Sequence, residues 1–164
     1  MWRLQNGELP SNLESDLYWI LIGTNDFGDG CSDEIVYVGI LRIIEEMQRL
    51  RPDSVLVVNS LLPRSDVMNV GDGIISGNST VSKIWEGIKI VNSKLRDYCN
   101  TLNNSQKLHY FDATDIFLRV DGSNNHERIP KELMNDFLHP SAAGYQLWAE
   151  RITQAYNSIF VKQI

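Results

Sequence analysis

Leu17-Tyr18-Trp19-Ile20-Leu21-Ile22 is an unbroken apolar run closed by Gly23. A run this short, with no polar face, reads as a strand covered on both sides, the kind that parallel sheets bury between helices. The pattern recurs. Val55-Leu56-Val57-Val58 is a second run of this type, ending at Asn59-Ser60, and His109-Tyr110-Phe111-Asp112 suggests a short third. Between the first two, Ile35, Val38, Leu41, Ile44 and, further on, Leu50 fall at helical spacing. Ser32 can cap that helix, Asp33 and Glu34 sit in its positive first turn, and Pro52 lies just past its end. Ile84, Ile88, Val91, Leu95 and Tyr98 mark a second helix. After Pro140, Tyr145, Trp148, Ile152 and Tyr156 mark a terminal one. Strand alternating with helix implies an α/β domain with a parallel sheet and right-handed crossovers. The 164 residues fit a single domain over 1–164, with room for a core.

Open α/β sheets place their ligands beyond the carboxyl ends of the strands. The polar segments of this chain fall there. Asn25 follows the first strand. Pro63 to Thr80, polar and glycine-rich without helical period, follows the second and reads as a site-bordering or partly disordered loop. Another polar loop surrounds Asp121 to His126, and Asp136 and His139 come after the third strand.

Charge and composition exclude several classes. The net charge of −6, with no Lys/Arg cluster, argues against nucleic acid or an anionic membrane as partner. No apolar run is long enough to span a bilayer, and the start, Met1-Trp2-Arg3-Leu4-Gln5-Asn6-Gly7-Glu8, lacks the apolar core of a signal peptide. Cys31 and Cys99 are too few for a disulfide framework, lack metal-ligand spacing and read as reduced thiols. A cytoplasmic location follows for the chain as written, subject to any export signal ahead of Met1. The Asn-x-Ser/Thr acceptors at Asn78 and Asn103 would matter only in a secreted protein.

Chemistry points to two motifs. Asp136-Phe137-Leu138-His139-Pro140 puts an acid and an imidazole three residues apart, where they can share one face of a turn. Imidazole is the usual proton shuttle near neutral pH, and an adjacent carboxylate fixes its tautomer. The plainer reading is a surface acid beside a His that helps to start the last helix. Gly23-Thr24-Asn25-Asp26 places a short amide directly after a buried strand, where its N–H can donate to an oxygen that becomes negative during acyl transfer. Gly23 lets the backbone turn sharply there. The plainer reading is an ordinary strand-exit turn.

Together the two motifs resemble the SGNH (GDSL-type) hydrolase family. Gly23-Thr24-Asn25-Asp26 is similar to its third sequence block and Asp136-Phe137-Leu138-His139-Pro140 to its last. Trp2-Arg3-Leu4-Gln5-Asn6-Gly7-Glu8-Leu9 and Leu61-Leu62-Pro63-Arg64 look like the branch of platelet-activating-factor acetylhydrolase catalytic subunits. The resemblance implies a three-layer, flavodoxin-like fold and hydrolysis of small acyl esters, with no metal and no organic cofactor. His139 would be the base, Asp136 its orienting acid and Asn25 an oxyanion-hole donor, with Gly23 and Thr24 against the substrate. The resembled subunits suggest a homodimer.

The departure is large. The family's Gly-Asp-Ser block, which carries the nucleophile, and the glycine of its second block precede the region that begins here at Met1. Gly28-Asp29-Gly30 and Gly71-Asp72-Gly73 have glycine where serine is required, and Gly73-Ile74-Ile75-Ser76-Gly77 is not a Gly-x-Ser-x-Gly elbow. Ser32 reads as a helix cap and Ser76 as a loop residue. The resemblance therefore implies the third, fourth and fifth strands of the family's sheet, with the N-terminal strands missing. Leu17–Ile22 would then be an exposed edge, open to a partner and marginal in stability. The chain itself is expected to be inactive. A non-catalytic α/β interaction module, a pseudoenzyme, is the alternative. A nucleotide-binding domain ranks below both, because the chain has neither G-x-G-x-x-G nor a P-loop.

Overall fold

Three short apolar runs pair side by side into a parallel sheet. In the computed structural model the strands and helices run β1 Leu17–Ile20, α1 Thr24–Gly28, α2 Asp33–Leu50, β2 Val55–Asn59, β3 Ile74–Ser76, α3 Lys83–Leu102, β4 Leu108–Phe111, α4 Thr114–Phe117, β5 Arg119–Asp121, β6 His126–Arg128 and α5 Ala142–Phe160. The structure describes residues 2–10, 12–13, 15–65, 73–76, 82–102, 107–121 and 126–160. Asn78, Asn103, Gly71, Asp72, Gly77 and much of the 63–80 segment lie outside the described residues.

The chain divides into two compact units, Met1–Leu61 with Lys89–Phe111, and Leu62–Ile88 with Asp112–Ile164. The first holds the parallel sheet, in the order β1-β2-β4. Leu17 pairs with Val55 and Ile20 with Val58, while Leu56 pairs with Leu108 and Asn59 with Phe111. Parallel neighbours need a crossover, and α2 and α3 supply the helices between successive strands. β2, in the middle, is buried from Leu56 through Asn59. β1 is an edge strand and every residue in it is half-buried, so the expected burial on both faces is not seen. An edge strand lacks one neighbour, and its side chains keep contact with solvent on that side. Trp19 of β1 ties the sheet across: its Nε1–H donates to Asn59 Oδ1 at 3.0 Å, and its ring meets that of Phe111 edge-on at 4.9 Å.

Ser32 caps α2 as its sequence predicts, with extended backbone and its Oγ accepting the Ile35 N–H at 3.4 Å. The buried face differs. Val36, Ile40, Ile44 and Met47 point inward, while Ile35 and Val38 are 62% and 52% exposed. Apolar residues occupy both stripes, and spacing alone cannot choose between them. On α3 the buried line is Trp85, Ile88, Val91, Leu95 and Cys99. Burial pushes the Cys99 thiol up to about 11, so it stays protonated and unreactive; both Cys31 and Cys99 are free thiols.

The second unit carries a small antiparallel sheet, β3-β6-β5, that the sequence does not announce. Its strands have three residues each, too few for an alternating pattern to register. Ser76, read as a loop residue, lies in β3 opposite Glu127. α5 forms where expected, but Tyr145 and Tyr156 of its predicted stripe are exposed, and Trp148 and Ile152 are half-buried. Gly144 is its one buried residue among those described. No helix among the described residues is long and apolar enough to cross a membrane.

A buried amide holds the exit of β2. Asn92 on α3 accepts the Leu61 N–H at 2.8 Å and donates to the Leu61 carbonyl at 2.9 Å. Both chain groups are shielded from water, and each would be left unmet in Asn92→Ala. The expected loss is about 2–4 kcal/mol of unfolding free energy by urea titration. A loss below about 0.5 kcal/mol would show that Leu61 finds other partners.

Candidate active site

Asp136, Phe137, Leu138 and His139 form a tight turn in the second unit, after the buried segment that ends at Met134. The Phe137 N–H donates to the Met134 carbonyl at 3.2 Å. The two carboxylate oxygens of Asp136 have different tasks. Oδ1 accepts the N–H of Leu138 at 3.0 Å and of His139 at 2.7 Å. Oδ2 meets Nδ1 of His139 at 2.7 Å. One side chain therefore builds the turn and orients the imidazole. Immediately downstream, Ser141 starts α5: its Oγ accepts the Gly144 N–H at 3.2 Å and donates to the Glu132 carbonyl at 2.6 Å.

These bonds favour the charged carboxylate. The backbone N–H of His139, then its imidazole, then the Leu138 N–H pull the Asp136 carboxyl from 3.8 down to about 2, against a smaller opposing effect of burial. Asp136 is thus ionised at neutral pH and can only accept, which puts the proton of a neutral His139 on Nδ1. Nε2 then presents its lone pair outward, and no described residue engages it. The pair is open to solvent, with the His139 side chain 74% and that of Asp136 55% exposed. Screening by water makes such a pair minor for stability. What it contributes is present above the ordinary carboxyl range and lost as pH falls toward 2, because the folded-state value is depressed.

The other predicted residues lie in the first unit. Gly23 has φ +108°, and a Cβ there would come within 3.0 Å of Ile40 Cδ1 and of Val36 Cγ1. Its left-handed backbone ends the β1 exit and starts α1. Thr24 is half-buried. Asn25 is exposed; its carbonyl accepts the Asp29 N–H at 2.9 Å, while its side-chain amide has no hydrogen-bond partner among the described residues. The structure thus brings Asp136 and His139 together, and Gly23, Thr24 and Asn25 together, in separate units.

Three of the described serines have structural tasks. Ser32 caps α2, and Ser82 caps α3 by accepting the Trp85 N–H at 3.1 Å. Ser60 is fully buried behind β2. Sequence reasoning missed two neighbours of the Asp136 turn. Ser65, just past Leu61-Leu62-Pro63-Arg64, donates its N–H to the Phe137 carbonyl at 3.2 Å, and Gly73 packs under the Phe137 ring. Neither leaves a local pattern that spacing could reveal.

Residues 1–147 match the GDSL-like Lipase/Acylhydrolase family. The chain is 30% identical over 145 residues to the platelet-activating factor acetylhydrolase IB subunit alpha1 of Rattus norvegicus, covering 88% of this chain and 52% of that protein. It is 29% identical over 145 residues to the alpha2 subunit of Gallus gallus, covering 88% of this chain and 53% of that one. The chain spans about half the length of the curated relatives it matches. Among solved structures, a GDSL-like lipase from Bacteroides thetaiotaomicron superposes with a TM-score of 0.68 at 19% identity, over 96% of this chain and 68% of that one. A carbohydrate esterase family 3 protein from Talaromyces cellulolyticus gives 0.64 at 17% identity, over 94% and 62%. At those identities the likeness speaks for the α/β fold with its parallel sheet.

Carboxyl NMR tests the electrostatics directly. Asp136 should titrate near 2. In His139→Ala the backbone N–H remains and the imidazole is lost, so the value should rise only part of the way to 3.8. A native value of 3.8 would contradict the turn. Gly23→Ala tests the other half: a Cβ at positive φ against Ile40 and Val36 should destabilise by about 1–3 kcal/mol in urea melts. An unchanged midpoint would show that the turn adapts.

Proposed function

The chain belongs to the GDSL-like lipase/acylhydrolase family, and on that footing we propose that it carries the acid, the base and an oxyanion donor of an ester-hydrolysing site for small acyl esters. The observation behind this reading is the 2.7 Å Asp136–His139 contact, which leaves Nε2 open as a proton acceptor. A serine hydroxyl attacks the acyl carbonyl while His139 Nε2 takes its proton. Asp136 holds the ring and stabilises the imidazolium that results. The Asn25 amide N–H donates to the oxyanion of the tetrahedral intermediate. His139 then protonates the leaving alkoxide, and water repeats the sequence on the acyl-serine. Gly23 and Thr24 lie against the substrate.

The nucleophile belongs, in this reading, to polypeptide other than residues 1–164. Ser32, Ser60 and Ser82 are used in capping or burial, and Ser76 sits in a strand. On this reading the 164 residues alone are inactive. An acetyl group is the acyl part best suited, since the named relatives are acetylhydrolase subunits. Two free thiols fit a cytoplasmic setting. A second copy or another chain beside β1 would cover the exposed edge.

Hydrolysis of p-nitrophenyl acetate tests each part. The chain alone should not exceed buffer; a clear rate that vanishes in His139→Ala would refute the missing nucleophile. Joining a family member's segment with the Gly-Asp-Ser block ahead of residue 1 should give hydrolysis. In that chimera His139→Ala should lower kcat by about 10³-fold or more and Asn25→Ala by about 10²-fold. A folded chimera that hydrolyses equally well without His139 would end the esterase reading.

A further inference from the structure

Phe137 is the one non-glycine residue with a left-handed backbone among those described, at φ +58°. For a bulky aromatic this conformation is strained, and it persists only where the surroundings impose it. Those surroundings can be named. The ring lies over Gly73, so close that a Cβ on residue 73 would be 2.8 Å from Cε1 and 3.3 Å from Cδ1. Gly73 is itself fixed: it is buried with φ +68°, its carbonyl accepts the Ile129 N–H at 2.8 Å, and the same Cβ would collide with the Ile129 carbonyl. On the other side, the Phe137 carbonyl accepts the Ser65 N–H and the Phe137 N–H reaches Met134, each at 3.2 Å. Two distant segments hold the ring and carbonyl of this one residue, and its own turn holds the amide.

We propose that Phe137, clamped between Gly73 and the Ser65 peptide, is a positioning residue that sets Asp136 against His139. Asp136 directly precedes the strained position and His139 follows it by two residues, so the reversal at Phe137 lies between the two groups that must meet. Asp136 cannot bond both backbone N–H groups and the imidazole unless the chain reverses at 137. Releasing the clamp lets Phe137 leave positive φ and carries residues 138 and 139 away from the carboxylate. Any part of the clamp in catalysis rests on the ester-hydrolase reading; the geometry of the turn does not.

The test reads the turn without reading activity. In Phe137→Ala the Asp136 carboxyl should move from about 2 toward 3.8 in the 164-residue chain, and Phe137→Tyr, which keeps the ring, should restore the low value. Gly73→Ala, which pushes the ring out, should move it the same way. Where either variant fails to fold, Phe137→Leu should give a smaller shift of the same sign. An Asp136 value still near 2 in folded Phe137→Ala or Phe137→Leu overturns the clamp. In the active chimera, Phe137→Ala should lower kcat about 10- to 100-fold with KM held. Loss of the low Asp136 value with kcat unchanged would leave the clamp standing and count against His139 as the base.

Discussion

Parallel pairing of β1, β2 and β4 is the constraint on which the first unit rests. Strands that run the same way cannot be joined by a tight turn, so each pair needs a helix-bearing crossover. The same alignment sends the exits of β1 and β2 to one rim, where Gly23, Asn25, Asn59 and Leu61 lie. Burial of β2 makes that rim expensive to leave unsatisfied. Asn59 and Asn92 answer this with amides that bond Trp19, Ser60 and Leu61. The polar groups at the strand exits thus have a structural reason to be ordered before any chemistry is considered.

The Asp136 turn reaches order by a different route. It stands in solvent, and no deep burial holds it. Its rigidity comes from counting: one carboxylate takes three donors, and the residue between donor and acceptor is fixed through Gly73, Ser65 and Met134. The result is an exposed imidazole held against a carboxylate in one orientation. Its own ion pair, wet as it is, contributes little to holding the fold.

What could be read from the amino acids follows the range of each interaction. Asp136 and His139 are three residues apart, and their contact is as local as a helical turn. The three parallel strands announce themselves through apolar runs, and Ser32 through capping chemistry. The buried face of α2 was misplaced because Ile35 and Val38 compete with Val36 and Ile40 for the same pattern. The β3-β6-β5 sheet stayed hidden because strands as short as Arg119-Val120-Asp121, exposed throughout, carry no periodicity. Phe137 over Gly73 is a contact across 64 positions whose cause is a backbone angle, and no residue type advertises it.

The interleaving of the two units along the chain bears on how the molecule is made. The first unit needs residues 89–111 before its sheet is finished, yet residues 62–88 of the second are synthesised in between. On a ribosome, β1 and β2 can pair early while β2 waits with one row of amides and carbonyls unmet until Leu108–Phe111 emerges. Through that interval β2, central in the finished sheet, is itself an open edge. Translation speed and chaperone supply over those fifty or so codons should therefore govern the yield of native material more than they would for a chain whose neighbours in sequence are neighbours in space.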